Sequence, residues 1–219
     1  VLRLAKEGYK VYASARSIDK IEETMGLCKD YDVEPIIFDV RDYDDLMGKI
    51  RALGHLDAVV NAAGLSIVKK TIEELDITDW TEILDTNVMG YFFVIKAAIE
   101  NMEAGGAIVN ITSGAAKTGG NFVSIPYSSS KGAINSLTIS VARDLAPRGI
   151  RVNAVSPGFV ASDMLKLNGK PFDYYPDIIP LHRLGKPEDI ANMVYYLVSD
   201  ESNFMTGQII EVNGGDIMG

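Results

Sequence analysis

Apolar and polar positions follow two patterns along the chain: short runs rich in β-branched residues, and longer stretches with a helical period. The short runs predict strands at residues 10–15, 34–38, 57–61, 107–112, 151–156 and 208–212. The longer stretches predict helices at residues 18–29, 43–53, 79–103, 126–146 and 187–199. Strands that alternate with helices in this way form a parallel sheet with helices on both faces. We therefore expect a three-layer α/β fold, built as one domain over residues 1–219.

The stretch 79–103 is the clearest predicted helix. Its apolar stripe consists of Trp80, Leu84, Val88, Tyr91, Ile95 and Ala98. Thr78 precedes it at the position of an N-cap. Asn87 interrupts the apolar side, where a side-chain amide needs a hydrogen-bonding partner. Asn87 is therefore expected either to hold a water molecule or to kink the helix.

Two segments depart from the regular alternation. Residues 1–8 have the pattern of the last turns of an amphipathic helix that ends at Gly8, so the chain is expected to begin inside an element. Residues 163–186 form a long irregular stretch that contains glycines, prolines and aromatic residues. A loop of this length in a compact domain favours a lid over the alternative, a plain surface excursion.

The composition is that of a soluble globular protein, with 47% hydrophobic and 23% charged residues. No apolar run is long enough to cross a bilayer, so we do not expect a membrane protein. The net charge of −9 is spread along the chain and repels polyanions, which argues against nucleic acid as a partner. Cys28 is the single cysteine and has no cysteine or histidine at metal-ligand spacing. We therefore expect no metal site and a reducing, cytoplasmic compartment.

Tyr127 and Lys131 lie four residues apart in the predicted helix 126–146, and hence on one face. A neighbouring ammonium favours the phenolate and lowers the pKa of the phenol, which prepares a tyrosine for acid–base catalysis. The same pair also occurs in ordinary amphipathic helices whose lysine is solvated. The pair therefore indicates catalysis only in the company of other residues.

Polar and small residues follow three of the predicted strands, where the carboxyl ends of parallel strands face a ligand crevice. Ser113 follows strand 107–112, where its hydroxyl could hold a substrate carbonyl or cap a turn. Asp39 follows strand 34–38, where its carboxylate could accept a hydrogen bond from an adenine amino group. A third strand closes with Asn61, Ala62, Ala63 and Gly64. Because small residues let a backbone approach a flat ligand, the ends of strands 34–38 and 57–61 fit a dinucleotide site, although each of them alone also fits an ordinary loop.

The end of the first predicted strand indicates which dinucleotide is bound, since Ala15 is followed there by Arg16 and Ser17. A cofactor without a 2′-phosphate is usually held at this position by an acidic side chain, whereas an arginine accommodates the phosphate. The sequence therefore favours NADP(H) over NAD(H). The alternative is an exposed arginine with nothing bound to it.

Taken in order, these residues resemble the short-chain dehydrogenase/reductase family over nearly the whole chain. The landmarks are Asp39-Val40, Asn61-Ala-Ala-Gly64, Asn87-Val-Met-Gly90, Ser113, Tyr127-Ser-Ser-Ser-Lys131, Arg151-Val-Asn-Ala-Val-Ser-Pro-Gly158, and Thr206-Gly207 with Asn213-Gly-Gly215. The resemblance implies a Rossmann-type doubly wound parallel sheet. It also implies an oxidoreductase that transfers a hydride between a nicotinamide and a carbonyl or secondary alcohol.

The resemblance further implies a role for each site residue. Tyr127 would move the proton, Lys131 would bind the nicotinamide ribose and tune Tyr127, and Ser113 would orient the carbonyl. Asn87 would anchor a proton-relay water. The implied cofactor-binding residues are Arg16, Ser17, Asp39, Val40, Asn61, Ala62, Ala63, Gly64, Tyr127, Lys131, Pro157, Gly158, Val160 and Ser162.

One part of the family pattern is absent, because no glycine-rich strand-to-helix turn precedes Leu4. The family's first strand and its phosphate-binding loop are therefore missing from this sequence, and we expect an N-terminal segment of the protein to be lacking. That strand would occupy the centre of the sheet, and the loop would supply backbone donors to the pyrophosphate.

The substrate is less clearly indicated than the reaction. Overall length and ending resemble the 3-oxoacyl-carrier-protein reductases, with sugar, polyol and other small-alcohol dehydrogenases as the alternative. Docking an acidic carrier protein calls for basic residues near the cleft, whereas the chain carries Glu100 and Glu103 before strand 107–112, although Arg148 remains. A partly aromatic pocket, or alternatively aromatic core packing, is indicated by Phe122, Phe159, Tyr174 and Tyr175. A catalytically silent dinucleotide-binding scaffold protein is the alternative from another class.

The expected partners are a small carbonyl or alcohol substrate and further copies of the chain. The helices 79–103 and 126–146 carry apolar residues beyond a single stripe, namely Phe93, Val94, Ile139 and Val141. Family members commonly pair these helices across a two-fold axis. We therefore expect a homotetramer, or a homodimer.

Overall fold

Parallel β-strands form the centre of the computed structural model, which describes residues 1–120 and 122–218. The strands within these ranges are β1 (Val11–Ala15), β2 (Val33–Ile37), β3 (Ala58–Asn61), β4 (Ala107–Ile111), β5 (Arg151–Pro157) and β6 (Ile209–Val212). Each predicted strand is present, with its bounds within one residue of the prediction at either end. The β-branched runs therefore located the sheet accurately.

The strands pair in two parallel groups. β1 pairs with β2, while β3, β4, β5 and β6 pair in that order. Within the described ranges no strand lies between β1 and β3, where the absent first strand was expected. Apolar side chains of the two flanking strands, such as Ala13 and Val59, line a large cavity at this place instead.

The helices are α1 (Leu2–Lys6), α2 (Ile18–Leu27), α3 (Tyr43–Arg51), α4 (Ile77–Leu84), α5 (Gly90–Ala98), α6 (Ala115–Thr118), α7 (Ile125–Leu145), α8 (Asp163–Lys166) and α9 (Pro187–Val198). Side chains of α3, α5 and α7 pack with Ile108 and Val152 on one face of the β3–β6 sheet. Side chains of α9 pack with Val109 and Val155 on the other face. Consecutive strand residues point to opposite faces, so β4 and β5 are buried on both sides. The three-layer α/β fold is confirmed.

The predicted helix 79–103 differs from the prediction in its start, its end and its continuity. It begins at Ile77, because the Asp76 carboxylate, rather than Thr78, caps it by accepting from the Asp79 backbone N–H at 2.8 Å. A π-helical turn, Asp85–Met89, separates α4 from α5, and α5 ends at Ala98. The predicted apolar stripe is also wrong at its first residue, because Trp80 is exposed and Ile83 is the buried residue of α4.

Arg151, the first residue of the Arg151–Gly158 landmark, holds the end of α9 through its side chain. Its guanidinium is buried and donates to the carbonyl oxygen of Leu197 at 2.8 Å and to that of Ser199 at 3.1 Å, with Ser202 Oγ at 2.7 Å. These carbonyls belong to the last turn of α9, where a positive charge complements the helix dipole. Arg151 therefore fastens α9 to β5 and is structural.

The irregular stretch 163–186 is better packed than its sequence indicates. It contains α8 and a 3₁₀ turn, Phe172–Asp177, and it returns to the fold through a bridge between Val160 and Gly185. Tyr175 is fully buried within it, against Phe159. The segment is thus anchored over the carboxyl edge of the sheet, and its role as a lid stays a prediction.

Candidate active site

Ser113 and Tyr127 meet at the carboxyl edge of β4. Ser113 follows the end of β4 by two residues, Tyr127 lies in the first turn of α7, and the Ser113 hydroxyl is close enough to the Tyr127 phenol to influence the pKa of that phenol. Ser113 Oγ also accepts from the backbone N–H of Ala115 at 3.2 Å. Both functions considered for this serine, capping a turn and presenting a hydroxyl to the crevice, are therefore compatible.

Lys131 lies one helical turn after Tyr127 and is buried. Its Nζ donates to the carbonyl oxygen of Ile111 at 2.8 Å and lies 5.7 Å from the centroid of the Tyr127 ring and 5.3 Å from that of Tyr91. Burial lowers the pKa of Lys131 from 10.5 to about 8. An ammonium has three donors, and within the described residues Ile111 accepts only one of them. Lys131 therefore retains hydrogen-bonding capacity toward a ligand.

The pKa of Tyr127 differs from the expectation of a lowered phenol pKa. Burial raises the pKa of Tyr127, and the nearby Ser113 hydroxyl opposes that rise without reversing it. The lysine does not compensate, because desolvation disfavours the charge of Lys131 as well. The phenol of this protein is therefore held in its protonated form.

Asn87 sits in the π-helical turn and joins two elements. Its Nδ2 donates to the carbonyl oxygen of Leu65 at 3.0 Å and to Ser130 Oγ at 2.9 Å. Its Oδ1 accepts from the Leu65 backbone N–H at 2.7 Å. The amide thus ties the loop after β3 to α7, one residue before Lys131. Asn87 thus has protein partners in the π-helical turn, and both the kink and the relay water stay predictions.

A cavity of about 1500 Å³ runs along the carboxyl edge and into the gap between the two strand groups. Its lining includes Ala62, Ala63, Gly64, Ser113, Tyr127, Lys131, Pro157, Gly158, Val160 and Ser162 from the predicted site. The predicted residues Arg16, Ser17, Asp39, Val40, Asn61 and Asn87 are not part of that lining. The cavity therefore brings together the catalytic candidates and the residues expected beside the nicotinamide.

Asn61 was expected to contact the cofactor, but its side chain is committed to the core. Its Nδ2 donates to Asn110 Oδ1 at 2.9 Å, and Asn110 Nδ2 donates to Thr138 Oγ1 at 3.0 Å. Buried amides require such partners. The side chain of Asn61 therefore links β3 to β4 and α7.

Asp39 has a partner that sequence analysis missed. Arg41 donates to both carboxylate oxygens, with Nε 3.0 Å from Oδ1 and Nη2 2.7 Å from Oδ2. This hydrogen bonding lowers the pKa of Asp39, and the positive charge of Arg16 contributes to the shift. Val40, next in the chain, packs so closely on Gly90 that a Cβ at Gly90 would lie 2.7 Å from a methyl carbon of Val40. That contact accounts for the glycine of the Asn87–Gly90 landmark.

The substrate side of the cavity is largely apolar. Phe122 and Phe159 line it with ring centroids 6.1 Å apart, and Tyr175 packs behind Phe159 at 4.8 Å. Lining residues that sequence analysis missed are Val123, Met164, Leu165, Asp216 and Ile217. No local pattern marks them, because they reach the cavity from three separate segments.

The residues on which the tetramer prediction rested behave differently from one another. Phe93, Val94 and Val141 pack against the core and are not free for a partner, whereas Ile139 on α7 is exposed. Phe92 on α5 is also exposed. The oligomeric state stays a prediction. Among the described residues, no helix combines the length and the apolarity needed to cross a membrane.

The sequence of this chain is similar to those of known reductases. A family model described as enoyl-(acyl carrier protein) reductase matches residues 1–216. A 3-oxoacyl-[acyl-carrier-protein] reductase FabG of Staphylococcus aureus (strain Mu50 / ATCC 700699) is 37% identical over 227 residues, which cover 99% of this chain and 92% of that protein. The chain belongs to the short-chain dehydrogenase/reductase family.

Solved structures of short-chain dehydrogenases/reductases agree with this assignment. One from Brucella melitensis, a short-chain dehydrogenase/reductase of the glucose/ribitol dehydrogenase type, superposes with a TM-score of 0.91 at 31% identity, covering 99% of this chain and 89% of that one. ElxO with NADP bound superposes with a TM-score of 0.89 at 30% identity, covering 98% and 91%. The chain is therefore an oxidoreductase of this family, acting on the CH–OH group of donors, and its Rossmann-type fold is confirmed.

Proposed function

We propose that this short-chain dehydrogenase/reductase interconverts a carbonyl and a secondary alcohol with NADP(H) as its cofactor. The observation that carries the proposal is that the Tyr127 phenol, the neighbouring Ser113 hydroxyl and the buried Lys131 ammonium line one cavity. A substrate oxygen placed beside the two hydroxyls can accept a hydrogen bond from each. A 3-oxoacyl thioester is the first substrate class to test, because relatives named for that activity are 37% identical.

The residues present fit a nicotinamide cofactor. The Lys131 ammonium has donors to spare and suits ribose hydroxyls. A Cβ at Gly64 would lie 3.9 Å from Lys131 Nζ, so a glycine there leaves the approach to the ammonium open. NADPH, when bound, supplies the hydride to the carbonyl carbon.

Each catalytic candidate has a task that its position supports. Ser113 orients the carbonyl oxygen, and Tyr127 donates a proton to that oxygen as it becomes an alkoxide. Lys131, which carries its charge below a pKa of about 8, stabilises the phenolate left on Tyr127. Asn87 fixes the loop after β3 against α7 and so acts as a positioning residue.

NADPH oxidation followed spectrophotometrically over a carbonyl panel tests the proposal. The panel contains 3-oxoacyl thioesters, sugar and polyol ketones and simple aryl ketones. We expect turnover of at least one class. NADPH binding without turnover of any of them would favour the silent scaffold instead.

Arg16→Ala is expected to weaken NADPH selectively. Within the described residues the exposed Arg16 guanidinium makes no hydrogen bond or ion pair of its own, so it is available at the end of β1 for a 2′-phosphate. Loss of one or two charge-assisted hydrogen bonds should raise KM for NADPH roughly 10- to 100-fold. KM for NADH should change less than about two-fold, because NADH has no phosphate at this position.

Lys29→Ala is the matched control for Arg16→Ala. It removes the same charge from an exposed position beyond the end of α2, outside the cavity lining. Initial-rate kinetics measure KM for both cofactors. If the two variants changed the ratio of KM for NADPH to KM for NADH by the same factor, the assignment of Arg16 would be contradicted.

A further inference from the structure

The chain folds back on the cavity after β6. The Asn213 side chain closes a tight turn, with Nδ2 donating to the carbonyl oxygen of Ile217 at 2.9 Å and Oδ1 accepting from the Gly215 backbone N–H at 2.9 Å. A Cβ at Gly158 would lie 2.7 Å from Asn213 Cβ, and a Cβ at Gly114 would lie 2.6 Å from Ile217 Cδ1. The turn is therefore wedged between the residue after Ser113 and the end of β5, at the catalytic end of the cavity.

Asp216 is the acidic residue of this turn, and it lines the same cavity as Ser113 and Tyr127. It is partly buried, and burial raises the pKa of its carboxyl group. Its side chain has neither a hydrogen bond nor an ion pair among the residues that the structure describes. The carboxylate oxygens of Asp216 are not among the fully buried unpartnered atoms, so they are free to accept a hydrogen bond from a ligand that enters the cavity.

The side chains around Asp216 indicate what kind of ligand could donate a hydrogen bond to its carboxylate. The lining on the substrate side is otherwise made largely of apolar side chains, including Phe122, Phe159 and Met164. Among the described lining residues from Ile111 onward, Asp216 is the only carboxylate, so a ligand in this space would bury an apolar body and meet one negatively charged acceptor. Small-molecule sites commonly set orientation with a few polar groups in such an apolar frame.

We propose that Asp216 determines substrate specificity by accepting a hydrogen bond from an ammonium or hydroxyl group on the ketone substrate, away from the reacting carbonyl. The inference rests on the proposed function and narrows its substrate class. A plain acyl chain offers no donor to Asp216, so a donor-bearing ketone is favoured over an unsubstituted 3-oxoacyl thioester. The apolar wall binds the part of the substrate between the carbonyl and the donor.

Three aryl ketones that differ only at the para position test the inference: 4′-methyl-, 4′-(hydroxymethyl)- and 4′-(aminomethyl)acetophenone. With NADPH, the unmodified enzyme should prefer the hydroxymethyl or aminomethyl ketone over the methyl ketone roughly 10- to 100-fold in kcat/KM, as hydrogen bonds to charged groups allow. Asp216→Leu should abolish the preference and keep turnover of the methyl ketone. Asp216→Asn should lose the aminomethyl preference and keep part of the hydroxymethyl preference.

Asp173→Asn is the matched control, because it removes an exposed carboxylate of the segment 163–186 that does not line the cavity. This variant should leave the relative kcat/KM values of the three ketones within about two-fold of those of the unmodified enzyme, as expected of a surface substitution.

Calorimetric binding of the three ketones in the presence of NADP⁺, which cannot reduce them, separates this inference from the proposed function. Ketone turnover with no preference for a donor group, or with a preference that survives Asp216→Leu, overturns the role of Asp216 and leaves carbonyl reduction standing. A binding preference that is lost in Asp216→Leu, with no turnover of these ketones or of any member of the carbonyl panel, supports the role of Asp216 and overturns carbonyl reduction. The absence of both a binding preference and a kinetic preference for a donor-bearing ketone overturns the inference.

Discussion

Tyr127→Phe should lose turnover by a factor of about 10² to 10⁴, the usual contribution of a positioned general acid. The phenol lies beside Ser113 in the cavity, and phenylalanine keeps the ring and its packing while removing the proton that the nascent alkoxide needs. NADPH affinity should stay within about two-fold, because the Lys131 ammonium and the small residues after β3 are unchanged. Initial-rate kinetics and a fluorescence titration with NADPH measure the two quantities.

The pH dependence of the unmodified enzyme follows from the same residue. Carbonyl reduction needs the protonated phenol, and burial raises the pKa of Tyr127, so the acid form persists across neutral pH. Alcohol oxidation needs the phenolate, so its kcat/KM should rise with pH over the range in which reduction is still flat. Tyr31→Phe, at an exposed tyrosine outside the cavity lining, should change neither profile. Normal turnover in Tyr127→Phe would remove the acid–base role.

Lys131→Met should abolish activity and stabilise the cofactor-free fold. The pKa of the ammonium falls from 10.5 to about 8 on burial. At about 1.4 kcal/mol for each pKa unit, keeping this ammonium buried at pH 7 costs about 3 kcal/mol. Methionine has a similar length and no charge to desolvate. The carbonyl oxygen of Ile111 keeps a donor in that variant, since the Tyr91 hydroxyl lies 3.0 Å from it.

The sign of the pH effect makes this prediction specific. The unfolded chain binds a proton at Lys131 up to pH 10.5 and the folded chain only up to about 8, so the penalty is complete below pH 8 and disappears as the pH rises to 10.5. The stability advantage of Lys131→Met in chemical denaturation should therefore shrink over that interval. Lys29→Met, at an exposed lysine, should change stability by less than about 0.5 kcal/mol at any pH. A destabilised Lys131→Met protein would mean that the hydrogen bond to Ile111 outweighs desolvation.

The fold was largely predictable because its signals are local. β-branched runs and helical periods depend on neighbours within one element, and they located each strand of the described ranges to within a residue. The helix around Asn87 was predicted as continuous, because no sequence period distinguishes a π-helical turn from an α-helical one. The two hydrogen bonds that Asn87 donates, to the loop after β3 and to α7, exist only once those elements have packed.

The candidate site was predictable in part for a topological reason. Carboxyl ends of parallel strands meet at one edge of a sheet, so the sequence pattern alone places Ser113 near the residues after β3. Orientation could not be predicted in this way. Asn61 turns into the core, and Arg41 occupies the carboxylate of Asp39. Both outcomes depend on partners that no local pattern identifies.

By itself the sequence determined the order of strands and helices, the parallel α/β class and the tyrosine, lysine and serine of the candidate site, since each is encoded in a short pattern. The tertiary structure alone decided the burial that raises the pKa of Tyr127 and lowers that of Lys131. It also decided the approach of Asp216 to the cavity that holds Ser113, about a hundred residues earlier in the chain. Desolvation and long-range contact arise from packing of the whole chain, which is why no segment read alone contains them.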